Sequence, residues 1–465
     1  MSRFQYCQRS GKNLLTYCSE KMSPHKYGLH DVDWRLSRPR LPERCARVRD
    51  GWGRRSGETK VSTTDFPGDQ SLLRDNNLAL VTRTIFASEK PISRAQISES
   101  TGLTKATVSR LVEELIGASI VDKLQPNPTA QQGRPAHLLT PSSSSIAGIG
   151  LEINVDLIAG RTLDLQGKIL SEFHISGRYR DSDPRQVLTQ LSHLASASVS
   201  GLRLDGIQIA GAVLAVPGVF DYSTGYLHSA PNLGWNEVPL GALVEEILTP
   251  VLEAPVEISN DADQQALCAA FEAPGRLRKD STFVYIVGDL GIGGAIMSDG
   301  VVETGVHGSA GEIGHMRIDP SGPECFCGSR GCLERYAGLS AILAAAGLDP
   351  LSNRTDDLIT LLNNGDASAL KAIDIAVEAL SVAIANVVNL LDIPMIILGT
   401  GLGRLLPWME PNLSAQSKQM VIGQSHTDLS IISGNSDATP ACSGGAFASL
   451  LTPINDPAGW ISGPH

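Results

Sequence analysis

From Gln70 onward apolar residues recur at helical spacing, and Leu78, Val81, Ile85 and Phe86 form the first such face. A second, shorter helix is predicted after Pro91, with Ser93 as N-cap and Gln96 three residues on, the pattern of a capping box. Thr101-Gly102-Leu103 reads as a turn. The third helix, from Thr104 to about Gly117, spaces Val108, Leu111, Val112, Leu115 and Ile116 along one buried face. Lys105, Thr107, Ser109 and Arg110 are left outside near its start, as in a helix-turn-helix that offers polar residues to DNA. Two strands, Ile120 to Leu124 and His137 to Leu139, then flank the polar stretch Gln125 to Ala136.

That stretch carries Gly133-Arg134-Pro135 and resembles the wing of winged-helix domains, which implies that Arg134 enters a minor groove. Pro141 followed by four serines reads as a linker. Beyond it the period changes to two. Ile146 to Leu165 is β-rich, Gln166-Gly167 turns it into another strand, a helix spans about Pro184 to Val199, and a strand runs from Ile207 to Val216. The same order returns in Phe283 to Met297, the Asp299-Gly300 hairpin turn, an apolar helix near Lys371 to Leu391, and the strand Met395 to Leu398. Two hairpin-plus-helix halves predict an α/β chain with a cleft between two lobes.

Composition changes this picture in one place. With 42% hydrophobic and 19% charged residues the 465-residue chain fits a soluble globular protein of two or three domains. No uninterrupted apolar run approaches eighteen residues, so no membrane partner is expected. A net charge of −11 argues against nucleic acid until it is divided: residues 1–60 hold 14 Lys/Arg and 6 Asp/Glu, or +8, leaving −19 for the rest. Residues 1–68 show no periodicity and are expected to be a disordered basic extension. The domains expected after it are a DNA-binding unit over 69–140 and a larger one over 146–452.

The densest chemistry lies in Ala310 to Tyr336. Nine residues separate His315 from Cys325, one separates Cys325 from Cys327, and four separate Cys327 from Cys332, with glycines at 328 and 331. One imidazole and three thiolates suit tetrahedral zinc and leave no open position, so the metal is expected to be structural. A Cys325–Cys327 disulfide is sterically awkward, and the scattered remaining cysteines read as those of a reduced cytoplasm.

Glu312-Ile313-Gly314-His315 and Gly331-Cys332-Leu333-Glu334 resemble the sugar and zinc signature of the ROK family of sugar kinases and repressors. Further likeness lies in Asp69-Gln70-Ser71 to Arg74-Asp75-Asn76, Ala215-Val216-Pro217-Gly218, Pro231-Asn232-Leu233-Gly234-Trp235 and Asn260-Asp261-Ala262-Asp263. The resemblance implies a winged helix-turn-helix followed by a two-lobed actin-like (ribonuclease H-like) ATPase fold. It implies that Asn260, Asp261, Glu312, His315 and Glu334 bind a sugar, and that Asp261 matches the general base of the kinases. His315, Cys325, Cys327 and Cys332 would hold the zinc.

The kinases of that family carry Asp-x-Gly-Gly-Thr in the first hairpin, where this chain has Glu152-Ile153-Asn154-Val155-Asp156. Their second loop reads Gly-Thr-Gly-x-Gly-Gly; here it is Asp289-Leu290-Gly291-Ile292-Gly293-Gly294. A carboxylate ~4 Å from a phosphate charge costs roughly 4 kcal/mol at an effective dielectric of ~20. Asp156 and Asp289 therefore argue against ATP, and Asp261 is expected to be vestigial. The expected protein is a sugar-responsive regulator that binds operator DNA and a sugar effector as a homodimer or homotetramer. The competing expectation is a sugar kinase that retains a DNA-binding unit.

Overall fold

The computed structural model describes residues 69–124, 137–423, 425–434 and 437–463. The expectations placed on segment 1–68 and on Arg134 lie outside the described residues.

The head begins with α1 (Asp69–Phe86), which buries Leu78, Val81, Ile85 and Phe86. β1 (Ile92–Ser93) leads into α2 (Arg94–Thr101) through the expected capping box: the Ser93 hydroxyl accepts from the Gln96 amide, and the Ser93 amide donates to Gln96 Oε1 at 3.0 Å. Gly102, at φ 71°, ends α2 in the left-handed conformation that glycine adopts without strain. Thr104 is the N-cap of α3 (Lys105–Gly117), whose buried side chains are Val108, Leu111, Val112 and Leu115. β2 (Val121–Leu124) and β3 (Leu138–Pro141) complete an antiparallel sheet in the order β1-β3-β2.

The serine run differs from expectation. Instead of spanning free, it is bonded on both sides. The Ser142 amide donates to Ile120 O at 2.9 Å, its hydroxyl reaches Asp122 at 2.9 Å, and the Ser145 hydroxyl reaches Ser119 O at 2.7 Å. From the far side Gln166 Nε2 donates to Pro141 O at 2.8 Å. Short hydroxyl side chains satisfy nearby backbone groups well, and here that tendency makes a fixed joint.

Two five-stranded sheets follow, and they share one topology. In the first, the meander β4 (Ile146–Ile153), β5 (Leu157–Asp164) and β6 (Ile169–Ser176) is joined by parallel β7 (Gln208–Val216) after α4 (Pro184–Leu204). A small sheet of β8 (Val219–Asp221), β9 (Tyr226–Ala230) and β10 (Trp235–Val238) comes next, then α5 (Leu240–Ile247) and α6 (Thr249–Leu252). Parallel β11 (Val256–Asn260) completes the order β11-β7-β4-β5-β6. α7 (Asp261–Ala270) leaves its end, and the hairpin β12 (Phe271–Ala273) and β13 (Arg276–Leu277) follows.

The second sheet repeats this with the meander β14 (Phe283–Gly288), β15 (Ile292–Ser298) and β16 (Val301–Val302). After the short helices α8 (Glu334–Ala337), α9 (Leu339–Ala345) and α10 (Thr355–Asn363) comes α11 (Ala367–Leu391). Parallel β17 (Met395–Gly399), α12 (Thr400–Met409), α13 (Asn412–Met420) and parallel β18 (Ser430–Ser433) give the order β16-β15-β14-β17-β18. α11 is long and apolar enough to cross a membrane by composition, but its Ile373, Val377, Leu380 and Ile384 are packed in the core of this lobe.

The chain ends in α14 (Pro440–Asn455) and α15 (Pro457–Ser462). α14 packs on α7, β4 and β7, and α1 of the head packs on α14 and α15. One apolar cluster runs from Leu78, Ile85 and Leu111 in the head to Phe271, Phe447, Leu450 and Ile454.

At Gly444 the contact between α7 and α14 is backbone against backbone. A Cβ on Gly444 would stand 1.7 Å from Gln264 O, and one on Gly150 would stand 1.8 Å from Cys442 O. Neither obstacle is a movable side chain end, so the elements would have to separate. Gly444→Ala is expected to lower stability by roughly 2–3 kcal/mol, read as a lower urea midpoint.

Candidate functional site

Between the lobes lies a cavity of about 1300 Å³. Its floor is made where strands end: Glu152 on β4, Gly218 after β7, Asn260 on β11, Asp289 after β14, Thr400 after β17 and Ser433 on β18. Ligands of open α/β sheets bind at this carboxyl edge, because side chains and free helix N-termini converge there.

All five residues assigned to sugar by resemblance line this one cavity. Asn260 caps α7: its Oδ1 accepts from the Ala262 amide at 2.8 Å, and its Nδ2 donates to Gly218 O at 2.9 Å. Its amide is thus largely committed to holding the strand end, with one N–H and one lone pair left. Asp261, the first residue of α7, is buried, and burial pushes its carboxyl up to about 7, with Asp289 adding repulsion. Glu312 Oε2 stands 3.9 Å from His315 Nε2, while Glu334 Oε2 accepts from the Ile292 amide at 3.2 Å. Burial also raises the Glu312 carboxyl above its ordinary value.

The glycines of 291–294 explain that placement. A Cβ on Gly291 would meet Glu334 Oε2 at 2.2 Å, and one on Gly294 would meet Gly311 O at 2.7 Å. The run is glycine-rich because the Glu312 and Glu334 segments lie directly on the β14–β15 hairpin.

His315 turns its other ring nitrogen toward the cysteines. Nδ1 lies 3.7 Å from Cys325 Sγ, Cys327 Sγ lies 3.7 Å from Cys332 Sγ, and all four ligand atoms fall within 4.8 Å of one another. Tetrahedral thiolates ~2.3 Å from a zinc ion stand about 3.8 Å apart, whereas a disulfide needs ~2.05 Å, so the donor set fits a metal ion and not a bridge. Gly328 and Gly331 take φ 85° and 68°, and a Cβ on Gly331 would overlap Asp319 O at 1.6 Å. Cys325 and Cys332 are buried, and Cys327 is exposed.

The opposite half of the cavity is crowded with carboxylates. Burial pushes Glu152 up to about 8, with Asp261, Asp289 and Asp156 adding to the effect; Asp289 is raised by burial and by Asp156. Asp156 Oδ2 faces Arg354 Nε at 3.9 Å, and Arg404 pairs with Asp356.

In the head, Lys105 and Arg110 are exposed on the first turns of α3, and Ser109 is half-buried beside them. Thr107 is partly taken up by the cap, its amide donating to Thr104 Oγ1 at 3.2 Å and its hydroxyl lying 2.9 Å from the same atom.

Three cavity residues escaped the sequence reading. Glu152 was recognised only as a departure from a kinase loop. Asp263 follows Asp261 by two positions, and burial raises it to about 6. Tyr222, on the loop after β8, donates to Asp263 Oδ2 at 3.0 Å. The acidic residue two after Asp261, within the same Asn260–Asp263 run, was the available signal for Asp263; no local pattern marked Tyr222.

Comparison with known proteins agrees with this geometry. The ROK family profile matches residues 148–451. The xylose repressor of Bacillus spizizenii is 28% identical over 330 residues, covering 71% of this chain and 83% of that protein. The crystal structure of a ROK family transcriptional regulator, a homologue of the Escherichia coli MLC protein, covers 84% of this chain and 100% of its own at 22% identity and a TM-score of 0.70. The ROK hexokinase of Thermus thermophilus covers 66% of this chain and 98% of its own at 24% identity and a TM-score of 0.54. At these identities the two structures establish the fold.

The buried Glu152 yields a pH dependence. The side chains that face or influence it are Asn154, Asp156, Asp261, Asp289 and the Cys442 thiol, none of them cationic. Its folded-state pKa of about 8 lies above the ordinary 4.5, so no penalty exists below the lower value and the full penalty is felt above the upper. The melting temperature is expected to fall between about pH 5 and pH 8.5. Glu152→Gln is expected to flatten that fall and to raise stability at the alkaline end by ~2–4 kcal/mol. Thermal melts of both proteins across that range check it.

Proposed function

The chain belongs to the ROK family, and on that footing we propose that it is a sugar-responsive transcriptional repressor whose cleft binds a sugar without phosphorylating it. The observation that carries this reading is the core shared by head and cleft. α7 begins at Asp261 in the cleft, and all ten of its residues are buried. Its far end continues into β12–β13, where a Cβ on Gly275 would stand 3.0 Å from Phe86 Cβ of α1. A ligand that displaces one end of a rigid, close-packed helix displaces the other.

The extent of the relatives supports the same choice. The hexokinase spans about two thirds of this chain, whereas the regulator spans 84%, so the head is what regulators have in addition. The kinase alternative draws on Asp261, buried beside the cavity in the position of a base. Against it stand the half-buried Asp289 and the Asp156–Arg354 pair, which occupy the loops that would hold phosphate.

Within this reading Lys105, Ser109, Arg110 and Arg134 contact operator DNA, and Thr107 serves mainly the helix cap. Two copies pair on a two-fold operator. His315, Cys325, Cys327 and Cys332 hold one structural zinc, which clamps the Glu312 and Glu334 segments together and fixes the imidazole so that Nε2 points at the sugar.

Metal analysis is expected to give about one zinc per chain, and Cys327→Ser is expected to lose it and to melt earlier. A metal-free preparation of unchanged stability overturns the zinc assignment.

The response itself is read in an operator-binding titration. Arg110→Ala should weaken binding and reduce the salt dependence of log K by about one unit of slope. The effector sugar should change operator affinity by roughly 5–150-fold in the wild type and not in Glu312→Ala. In a coupled assay, hexose-dependent ATP turnover above ~1 per second identifies a kinase instead.

A further inference from the structure

We propose that Tyr222 is a positioning residue that carries sugar occupancy out of the cleft, because it ties the segment bearing Glu312 to Asp263 and so to α7. The inference rests on the reading of the chain as a sugar-responsive repressor and deepens it by naming the link between sugar and head.

The Tyr222 side chain is held at both ends. Its hydroxyl donates to Asp263 Oδ2 at 3.0 Å. Burial and the facing carboxylate both raise that hydroxyl above its ordinary value, so it remains the donor. The ring is seated beside buried Phe220, with centroids 6.2 Å apart. It also meets Gly308, where a Cβ would stand 2.3 Å from Tyr222 Cδ2. Gly308 takes φ 73°, so glycine suits both the turn and the close approach. Tyr222 comes between β7 and β11 in the chain, whereas Gly308 follows β16, so the two sheets' own segments meet here.

Asp263 lies buried in the first turn of α7, and among the described residues its side chain accepts a hydrogen bond from Tyr222 alone. A buried acid with a single partner depends on that partner for its orientation. Burial pushes it up to about 6, with Glu312 adding repulsion, so the two carboxyls share one neighbourhood. Glu312 itself is four residues on from Gly308. Between them Gly311 rests on the second sheet, where a Cβ would meet Gly294 O at 2.5 Å, and this leaves the segment little slack.

A sugar held by Glu312 therefore draws on a segment that bears on the Tyr222 ring. The Tyr222 hydroxyl bears on Asp263, which stands at the start of a helix whose ten residues are all buried. The far end of that helix reaches Phe86 of the head through Gly275. Closely packed parts share their displacements. The ring contact by itself bears on Phe220 and the loop after β8; the hydroxyl passes the movement to α7. Contact is not yet coupling, and removing the one bond separates the two.

The test compares sugar affinity with sugar response in the full-length protein at about pH 8, where Asp263 is ionised. Calorimetric titration with D-glucose, D-xylose and N-acetyl-D-glucosamine gives the affinity without DNA. Titration of an operator duplex, selected from random-sequence DNA, with and without saturating sugar gives the response. Tyr222→Phe keeps the ring and removes the hydroxyl. It is expected to leave sugar affinity within about threefold of the wild type and to shrink the sugar's effect on operator affinity by roughly fivefold or more. Asp263→Leu, which leaves no unpaired carboxylate, is expected to shrink the response equally, and the double variant no further. Asp263→Asn keeps an acceptor for the hydroxyl and is expected to keep most of the response. A full response in Tyr222→Phe and in Asp263→Leu overturns the proposal and leaves the repressor reading standing. A lost response in Tyr222→Phe with an equal loss of sugar affinity makes Tyr222 a sugar contact and overturns it too. A wild type that binds none of these sugars, or whose operator affinity ignores a bound one, defeats the repressor reading itself, and the proposal with it.

Discussion

Where α7 and α14 cross, Gln264 O and Gly444 approach so closely that there is no room at that point for even a methyl group. That contact, with the matching one between Gly150 and the carbonyl of Cys442, seats two helices between the sheets at backbone distance. Such close packing leaves few ways for the elements to move independently, so displacements are shared rather than absorbed. The cleft exists because the two sheets are held apart by these helices while their strand ends converge on one side. α7 places Asp261 and Asp263 at that edge, and it does so with every residue buried.

The same arrangement ties the head to the lobes. α1 rests on α14 and α15, and the β12–β13 hairpin that ends α7 touches Phe86. The serine run after β3 is bonded to β2 on one side and to Gln166 on the other. Ligand-dependent movement therefore has to pass through a packed joint instead of a slack tether. A packed joint offers a small number of alternative arrangements, which is the physical basis of a switch.

Electrostatics in the cleft pull in a consistent direction. Glu152, Asp261, Asp263 and Asp289 are all raised by burial, and each proton they retain relieves the others. The folded state tolerates this at some cost in stability above neutral pH, a pattern common where a site is shaped for binding rather than for stability. The helix N-terminus at Asp261 offsets part of that cost, since the amides of the first turn favour negative charge.

Much of this was legible in the sequence. Helical spacing gave the three helices of the head to within a residue or two, since buried faces must recur every three or four positions. The two hairpin-plus-helix halves were visible because each element is patterned locally, and the His315 to Cys332 spacing was enough to gather four metal-type donors. What remained hidden is what depends on distant parts of the chain meeting. The glycines at 291 and 294 read either as a degraded phosphate loop or as tight packing of a hairpin, and only the fold shows that the Glu312 and Glu334 segments are what lies on them. Asn260 read as a sugar ligand, yet the carbonyl of Gly218, 42 residues away, takes up much of its amide. The serines read as a slack linker because a run of short polar residues has no preference of its own; Ile120 O and Asp122 supplied one. Local pattern fixes which elements form, but backbone approach and the gathering of buried charge are decided only when the sheets close on the helices between them.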